Sequence, residues 1–166
     1  MEIDIEKSMR TYGDSVLRLA IVNTKNRAEA EDIFQEVFLK LFLSQNEILN
    51  RITCEEHLKN WLMQVTVRLC RDHTKSYWNK NTDGFGEKID VADERSGRDY
   101  EAVENQSDVT KAVLNLPYKY RQVIHLFYYE EYTTKEIAEI LGEDETATRS
   151  RLTRGRRMLE FFVKED

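Results

Sequence analysis

Little in this chain interrupts a helix. Its 166 residues include one proline and six glycines, so the two residues that most often break helices are scarce. Cysteine is nearly absent: Cys54 and Cys70 are the only two, with no CxxC spacing. That excludes a disulfide scaffold and points to a reducing interior. No apolar run approaches the ~20 residues needed to span a bilayer, and the opening "MEIDIEKSMR" carries no signal-peptide pattern. A cytoplasmic location is expected. A glycine-rich phosphate loop, a nucleophile motif and a convincing carboxylate pair are also missing. The chain is therefore expected to be no enzyme and to need no cofactor.

What is present is charge, unevenly placed. Hydrophobic residues make up 40% and charged residues 34%, a balance that suits a soluble, helix-rich protein. The formal net charge is −6. Lys and Arg against Asp and Glu number 12 and 12 over residues 1–80, 3 and 9 over 81–110, and 10 and 10 over 111–166. The whole excess of acid therefore sits in the middle segment.

Periodicity predicts helices on both sides of that segment. Residues 4–24 carry Ile5, Met9, Tyr12, Val16, Leu19 and Ala20 near helical spacing, and "NTKN" (23–26) reads as a turn. From Ala28 to Leu43, Ile33, Phe34, Val37, Phe38, Leu41 and Phe42 form an amphipathic stripe. Glu29, Glu31 and Asp32 lie in its first turn, where the helix dipole favours acids. "SQNEILNRITCEE" reads as a loop or short helical piece. A third helix runs from Leu58 to about Tyr77, with Leu58, Trp61, Leu62, Val65 and Leu69 inward. The stretch "NKNTDGFGEKIDVADERSGRD" is polar, acidic and without periodicity, which argues for a linker. The expected architecture is all-α: two small helical domains, 1–80 and 111–166, joined by an acidic flexible linker over 81–110.

The C-terminal part is expected to hold three helical segments. Pro117 suits the first turn of "LPYKYRQVIHLFYYEEY", with Tyr120, Val123, Ile124 and Phe127 buried. "TTKEIAEILG" holds a capping box, Thr133 with Glu136, and a stop at Gly142. Asp144 can cap the last helix. This is the layout of a helix-turn-helix. On a wheel of about 100° per residue, Thr148, Leu152, Gly155 and Leu159 share one face, expected to pack on "KEIAEIL" with the glycine allowing close approach. Arg149, Ser150, Thr153, Arg154 and Arg157 fall on the opposite, outward face, and no acid lies between Arg149 and Arg157. Arginine matches both phosphate and the O6/N7 edge of guanine. The first half of the helix is expected to reach bases, and Arg156 and Arg157 to hold phosphates. The alternative is an ordinary solvated face.

These residues carry a resemblance. "LPYKYRQVIHLFYYEEYTTKEIAEILGEDETATRSRLTRGRRML" resembles region 4 of the extracytoplasmic-function (group IV) sigma factors of bacterial RNA polymerase. "AEAEDIFQEVFLKLF" resembles their region 2.1–2.2, and "WLMQVTVRLCRDHTK" their regions 2.3–2.4. The helix-turn-helix alone is shared with many activators, whereas its combination with "EDIFQEVFLKLF" is specific. The resemblance implies a dissociable subunit that brings core RNA polymerase to promoter DNA and helps melt it. It implies a −35 contact through Arg149, Ser150, Thr153 and Arg154, joined by Arg157 and by Thr134 and Lys135 of the preceding helix. It implies a −10 contact through Asn60, Lys59, Arg68, Arg71 and Lys75, with a base pocket near Asn50 and Arg51. It implies docking on core polymerase through Asp32, Gln35 and Glu36, and control by an anti-sigma factor. Three positions depart from the family. Many relatives have Asn where Arg68 stands, and Thr-Val where Ala147-Thr148 stands, so Thr148 forfeits some apolar contact. Tyr77 and Trp78 are candidates to stack on a base, and Trp61 reads as core.

Two other readings compete. "CEEH" (54–57) and "CRDH" (70–73) supply Cys and His, but a continuous helix separates His57 from Cys70 by roughly 20 Å, too far for one zinc. His125, among apolar residues, reads as a packing histidine. A sigma-like decoy that only sequesters an anti-sigma protein would have no use for an arginine face.

Overall fold

The computed structural model describes residues 2–81 and 108–164, all of whose regular structure is helical. Most of the acidic segment, with the linker proposed there, lies outside the described residues. So do the side chains of Lys75, Tyr77, Trp78 and Lys80. Three helices form a first body: α1 (Ile5–Thr24), α2 (Arg27–Ile48) and α3 (Glu55–Asn81). Four form a second: α4 (Asp108–Leu114), α5 (Tyr118–Tyr128), α6 (Thr134–Leu141) and α7 (Glu145–Lys164).

Local chemistry sets the breaks. The Asp4 carboxylate accepts from the Lys7 N–H at the start of α1, and Asn26 accepts from the Glu29 N–H at the start of α2. Between them Lys25 turns the chain in the left-handed region (φ 54°) and donates to the Ile21 carbonyl. Thus "NTKN" turns the chain while giving up Thr24 to α1 and Asn26 to a cap.

The bodies share one continuous apolar core. Val16, Leu19, Ala20, Ile33, Val37, Leu41, Leu58, Leu62 and Met63 fill the first part, and Leu116, Val123, Ile124, Leu126, Ile137 and Leu152 the second. Four expectations need correcting. The α2 helix runs on through Ile48, where a loop or short piece was expected from Ser44; burying Ile48 and Ile52 keeps that end packed. Phe42, expected in the buried stripe, is 55% exposed. It lies about 100° beyond Leu41 on the wheel, past the edge that α1 and α3 cover. Among the described residues a fourth C-terminal helix, α4, precedes the three expected. Finally, a Cβ at Gly155 would lie 3.0 Å from Ile124 Cγ1 and 3.5 Å from Tyr120 Cβ. Its close neighbour is therefore α5, not the "KEIAEIL" helix.

Candidate nucleic-acid interface

The helix-turn-helix is built by reciprocal capping. Thr133 Oγ1 accepts from the Glu136 N–H at 3.1 Å while Glu136 Oε1 accepts from the Thr133 N–H at 3.0 Å, so two orphan donors of α6 are satisfied together. Gly142 ends α6 in the left-handed region at φ 68°, which only glycine adopts without strain. Two residues later Asp144 Oδ1 accepts from the Ala147 N–H at 3.0 Å and opens α7.

The face of α7 that turns inward is buried at Thr148, Leu152 and Gly155. Thr148 would leave a hydroxyl stranded in that core, at a cost of about 1–3 kcal/mol. It does not, because its Oγ1 donates to Glu143 Oε1 at 2.8 Å. The other Glu143 oxygen pairs with Arg151 at 2.5 Å. One carboxylate in the turn thus compensates for the missing apolar residue and anchors an arginine beside it.

The outward face carries Arg149, Ser150, Thr153, Arg154 and Arg157, all exposed. Its arginines are not equivalent. Arg149 pairs with Glu145, one turn earlier, at 2.8 Å, and Glu145 also accepts from Thr134 Oγ1 at 3.1 Å. Thr134 therefore braces Arg149 through this carboxylate, while Lys135 beside it is exposed. Arg154 and Arg157 have no ion pair among the described residues. Arg156, expected on phosphate, is exposed and makes contacts within the molecule. Its Nε donates to Tyr128 Oη at 2.6 Å, and its guanidinium lies over the Phe127 and Tyr128 rings at 5.1 and 5.6 Å.

On the first body, Arg51 and Arg68 are exposed, as is Asn50, while Asn60 and Lys59 are half-buried. Two of these candidate DNA contacts are engaged by the second body. The Arg71 guanidinium donates to the Leu141 carbonyl at 2.8 Å, and Lys59 Nζ lies 3.7 Å from Glu130 Oε2 and over the Tyr132 ring. Arg68 faces solvent.

Asp32, Gln35 and Glu36 are exposed on α2; Glu36 Oε1 lies 3.2 Å from His73 Nε2. The sequence reading missed their neighbours. Leu39, Phe42 and Leu43 are also exposed, Leu43 at 68%, and all six fall within about 80° of Asp32 on the wheel. The stripe is acidic at its N-terminal end and apolar at its C-terminal end. The signal was available: "VFLKLFL" is more apolar than one buried face can use.

His57 and Cys70 both lie on the unbroken α3, Cys54 is exposed, and the Cys70 thiol is buried, its pKa pushed up by that burial to about 12. Such a thiol is inert. Among the described residues no helix is long and apolar enough to cross a membrane.

Fold and surface together define a helical type of protein: a three-helix body followed by a helix-turn-helix with an arginine-bearing outward face. Comparison with known proteins agrees. Residues 106–159 match the family model "Sigma-70, region 4". RNA polymerase sigma factor SigV of Bacillus subtilis is 30% identical over 154 residues, covering 90% of this chain and 85% of that one. ECF RNA polymerase sigma factor SigM of the same organism is 27% identical over 161 residues, covering 94% and 93%. Among solved structures, the sigma factor RpoE in complex with the anti-sigma factor NepR from Bartonella quintana aligns with a TM-score of 0.65 at 20% identity, over 97% of each chain. CnrH in complex with the cytosolic domain of CnrY gives 0.63 at 16%, over 98% of this chain and 88% of that one. This chain belongs to the ECF (group IV) family of RNA polymerase sigma factors. It is a non-catalytic factor for transcription initiation.

Proposed function

We propose that the chain directs promoter-specific initiation with the following division of labour. The outward face of α7 reads the −35 element, with Arg154, Ser150, Thr153 and Arg149 at the bases and Arg157 on phosphate. Thr134 holds Glu145 in place behind Arg149, and Lys135 adds a phosphate contact. Asn50, Arg51, Lys59, Asn60, Arg68, Arg71 and Lys75 receive the −10 element, with Arg68 adding backbone affinity. The observation that carries this reading is the pair of guanidinium groups, Arg154 and Arg157, that have no ion pair among the described residues and project from a helix whose other side is anchored in the core. Run-off transcription with purified core polymerase on a promoter library tests it. Transcripts starting from promoters that share two elements are expected; random starts, or none, would refute it.

The α2 stripe is the proposed docking site for core polymerase. Asp32, Gln35 and Glu36 suit a basic partner surface, and Leu39, Phe42 and Leu43 supply apolar area that a lone soluble helix would not expose. Asp32→Arg or Glu36→Arg is expected to weaken binding in a competition assay without loss of helix content. An anti-sigma factor is the proposed regulator, since the structural neighbour RpoE was solved in complex with the anti-sigma factor NepR. Co-purification from unstressed cells is the corresponding test.

A further inference from the structure

The turn between α6 and α7 holds three acids in a row, Glu143, Asp144 and Glu145, beside the helix proposed to read DNA. Two of them are committed within the protein. Glu143 gives one oxygen to the Thr148 hydroxyl and the other to Arg151, and Asp144 Oδ1 accepts from the Ala147 N–H. Glu145, the first residue of α7, is different. Both of its contacts fall on one oxygen: Oε1 accepts from Thr134 Oγ1 at 3.1 Å and from Arg149 Nη2 at 2.8 Å. Its Oε2 has no hydrogen bond or ion pair among the described residues, and the side chain is 37% exposed.

A carboxylate in that place works against DNA binding. It stands at the N-terminal end of the reading helix, the part that comes nearest to base edges, and it meets a polyanion. Release of Arg149 toward a guanine sharpens the conflict, because the departing guanidinium leaves Oε1 with Thr134 alone. The carboxylate then needs a donor, and the major groove offers two, cytosine N4 and adenine N6. Adenine sets its N7 acceptor beside N6, which repels a carboxylate, whereas cytosine has no acceptor on its own major-groove edge. Glu145 and Arg149 stand one turn apart, about 6 Å along the axis, and helix residues at such spacing reach successive base pairs.

Given the −35 reading proposed above, on which this rests, we infer that Glu145 is a specificity-determining residue. Its Oε2 accepts from the N4 amino group of a −35 cytosine, in the base pair next to the one that Arg149 reads. Thr134 is the positioning residue: its hydroxyl, on α6, holds the carboxylate while Arg149 leaves. Where that neighbouring pair presents thymine O4 or guanine O6 and N7 instead, Glu145 faces an acceptor, and the penalty falls on the wrong promoter. The chain gives up general affinity for DNA and gains selection at one base.

Holoenzyme assembled from core polymerase and the full chain is assayed by run-off transcription on promoters in which each −35 base pair is replaced in turn. Arg149→Ala first marks the position that Arg149 reads. Glu145→Ala should then flatten a cytosine preference of about fivefold or more at an adjoining position. It should leave the Arg149 preference in place and raise output from promoters with the wrong base beside it. Glu145→Gln keeps the side chain's length and its acceptor for Thr134, which guards against a disturbed helix start, and it too should relax the cytosine preference. Thr134→Val should weaken that preference without moving it. A loss confined to the position that Arg149 marks would reduce Glu145 to a brace and overturn the inference. So would an equal gain on every promoter, the sign of phosphate repulsion alone, or the absence of any base marked by Arg149. Unchanged preferences in both Glu145 variants, while Arg154→Ala still erases one, would overturn it and leave the −35 reading intact. If Arg154→Ala and Arg149→Ala also change no preference, the −35 reading itself fails and the role of Glu145 falls with it.

Discussion

Replacing Arg154 by alanine should cost more promoter activity than replacing Arg149, and the structure says by roughly how much. A bidentate contact to a base edge is worth about 1–3 kcal/mol of discrimination, which is about 5- to 140-fold. Arg154 has no carboxylate to leave among the described residues, so the whole loss should appear. Arg149 must first release Glu145, and an exposed pair one helical turn apart is worth only about 0.3–0.5 kcal/mol. That pairing therefore lowers the fold-change expected from Arg149 by about a factor of two and does not cancel it. The assay is run-off transcription by holoenzyme on promoters with each −35 base replaced in turn. Arg154→Ala should erase the preference at one position. A loss of equal size on every promoter, with a salt dependence shallower by about 0.9, would show that Arg154 holds phosphate only. No loss at all would mean that the outward face of α7 does not touch DNA.

Three further outcomes follow from the packing and electrostatics. At Gly155 an added methyl gains about 1 kcal/mol of helix propensity but meets Ile124 at 3.0 Å, and overpacking costs about 1–3 kcal/mol. Gly155→Val, bulkier and a poorer helix former, should lower the denaturant midpoint by the equivalent of about 2 kcal/mol or more; wild-type stability would refute the close approach. Burial alone would raise the pKa of Glu130, but His125 and Arg18 beside it outweigh that and hold it down to about 2. Its contribution is thus fully present above the unfolded-state value of about 4.3. It is lost as pH falls through about 2, and amounts to at most about 3 kcal/mol. Acid titration of stability should therefore be less steep in Glu130→Gln, and an identical slope would contradict the assignment. Thr148→Val alone should destabilise, because it leaves Glu143 Oε1 without its donor while the other oxygen keeps Arg151; a denaturation midpoint equal to or above wild type would show the hydroxyl to be idle.

The helix-turn-helix was the most legible part of the sequence because short-range chemistry specifies it. Thr133 with Glu136, Gly142 and Asp144 each act within four residues, and all four do in space what their spacing suggested. Longer-range facts were less accessible. Periodicity placed Phe42 in a stripe, but only the positions of α1 and α3 decide where the covered arc ends. No acid lies between Arg149 and Arg157, but Glu145 and Glu143, just ahead of that interval, pair with Arg149 and Arg151. Gly155 was read as a point of close approach, yet its partner helix could not be told from a wheel. The engagement of Lys59 and Arg71 by residues some 70 positions away has no local signature at all.

The Glu143 carboxylate has a consequence for how such a reading head can be altered. In this chain the turn and the helix after it are matched parts: an acid in one answers a hydroxyl and a cation in the other. A reading helix transplanted from a relative with valine at this position would arrive without the hydroxyl that occupies Glu143. Only the loop and the helix moved together make an interchangeable cassette, and engineered changes of promoter preference should be cut at Gly142 rather than at the first residue of the helix.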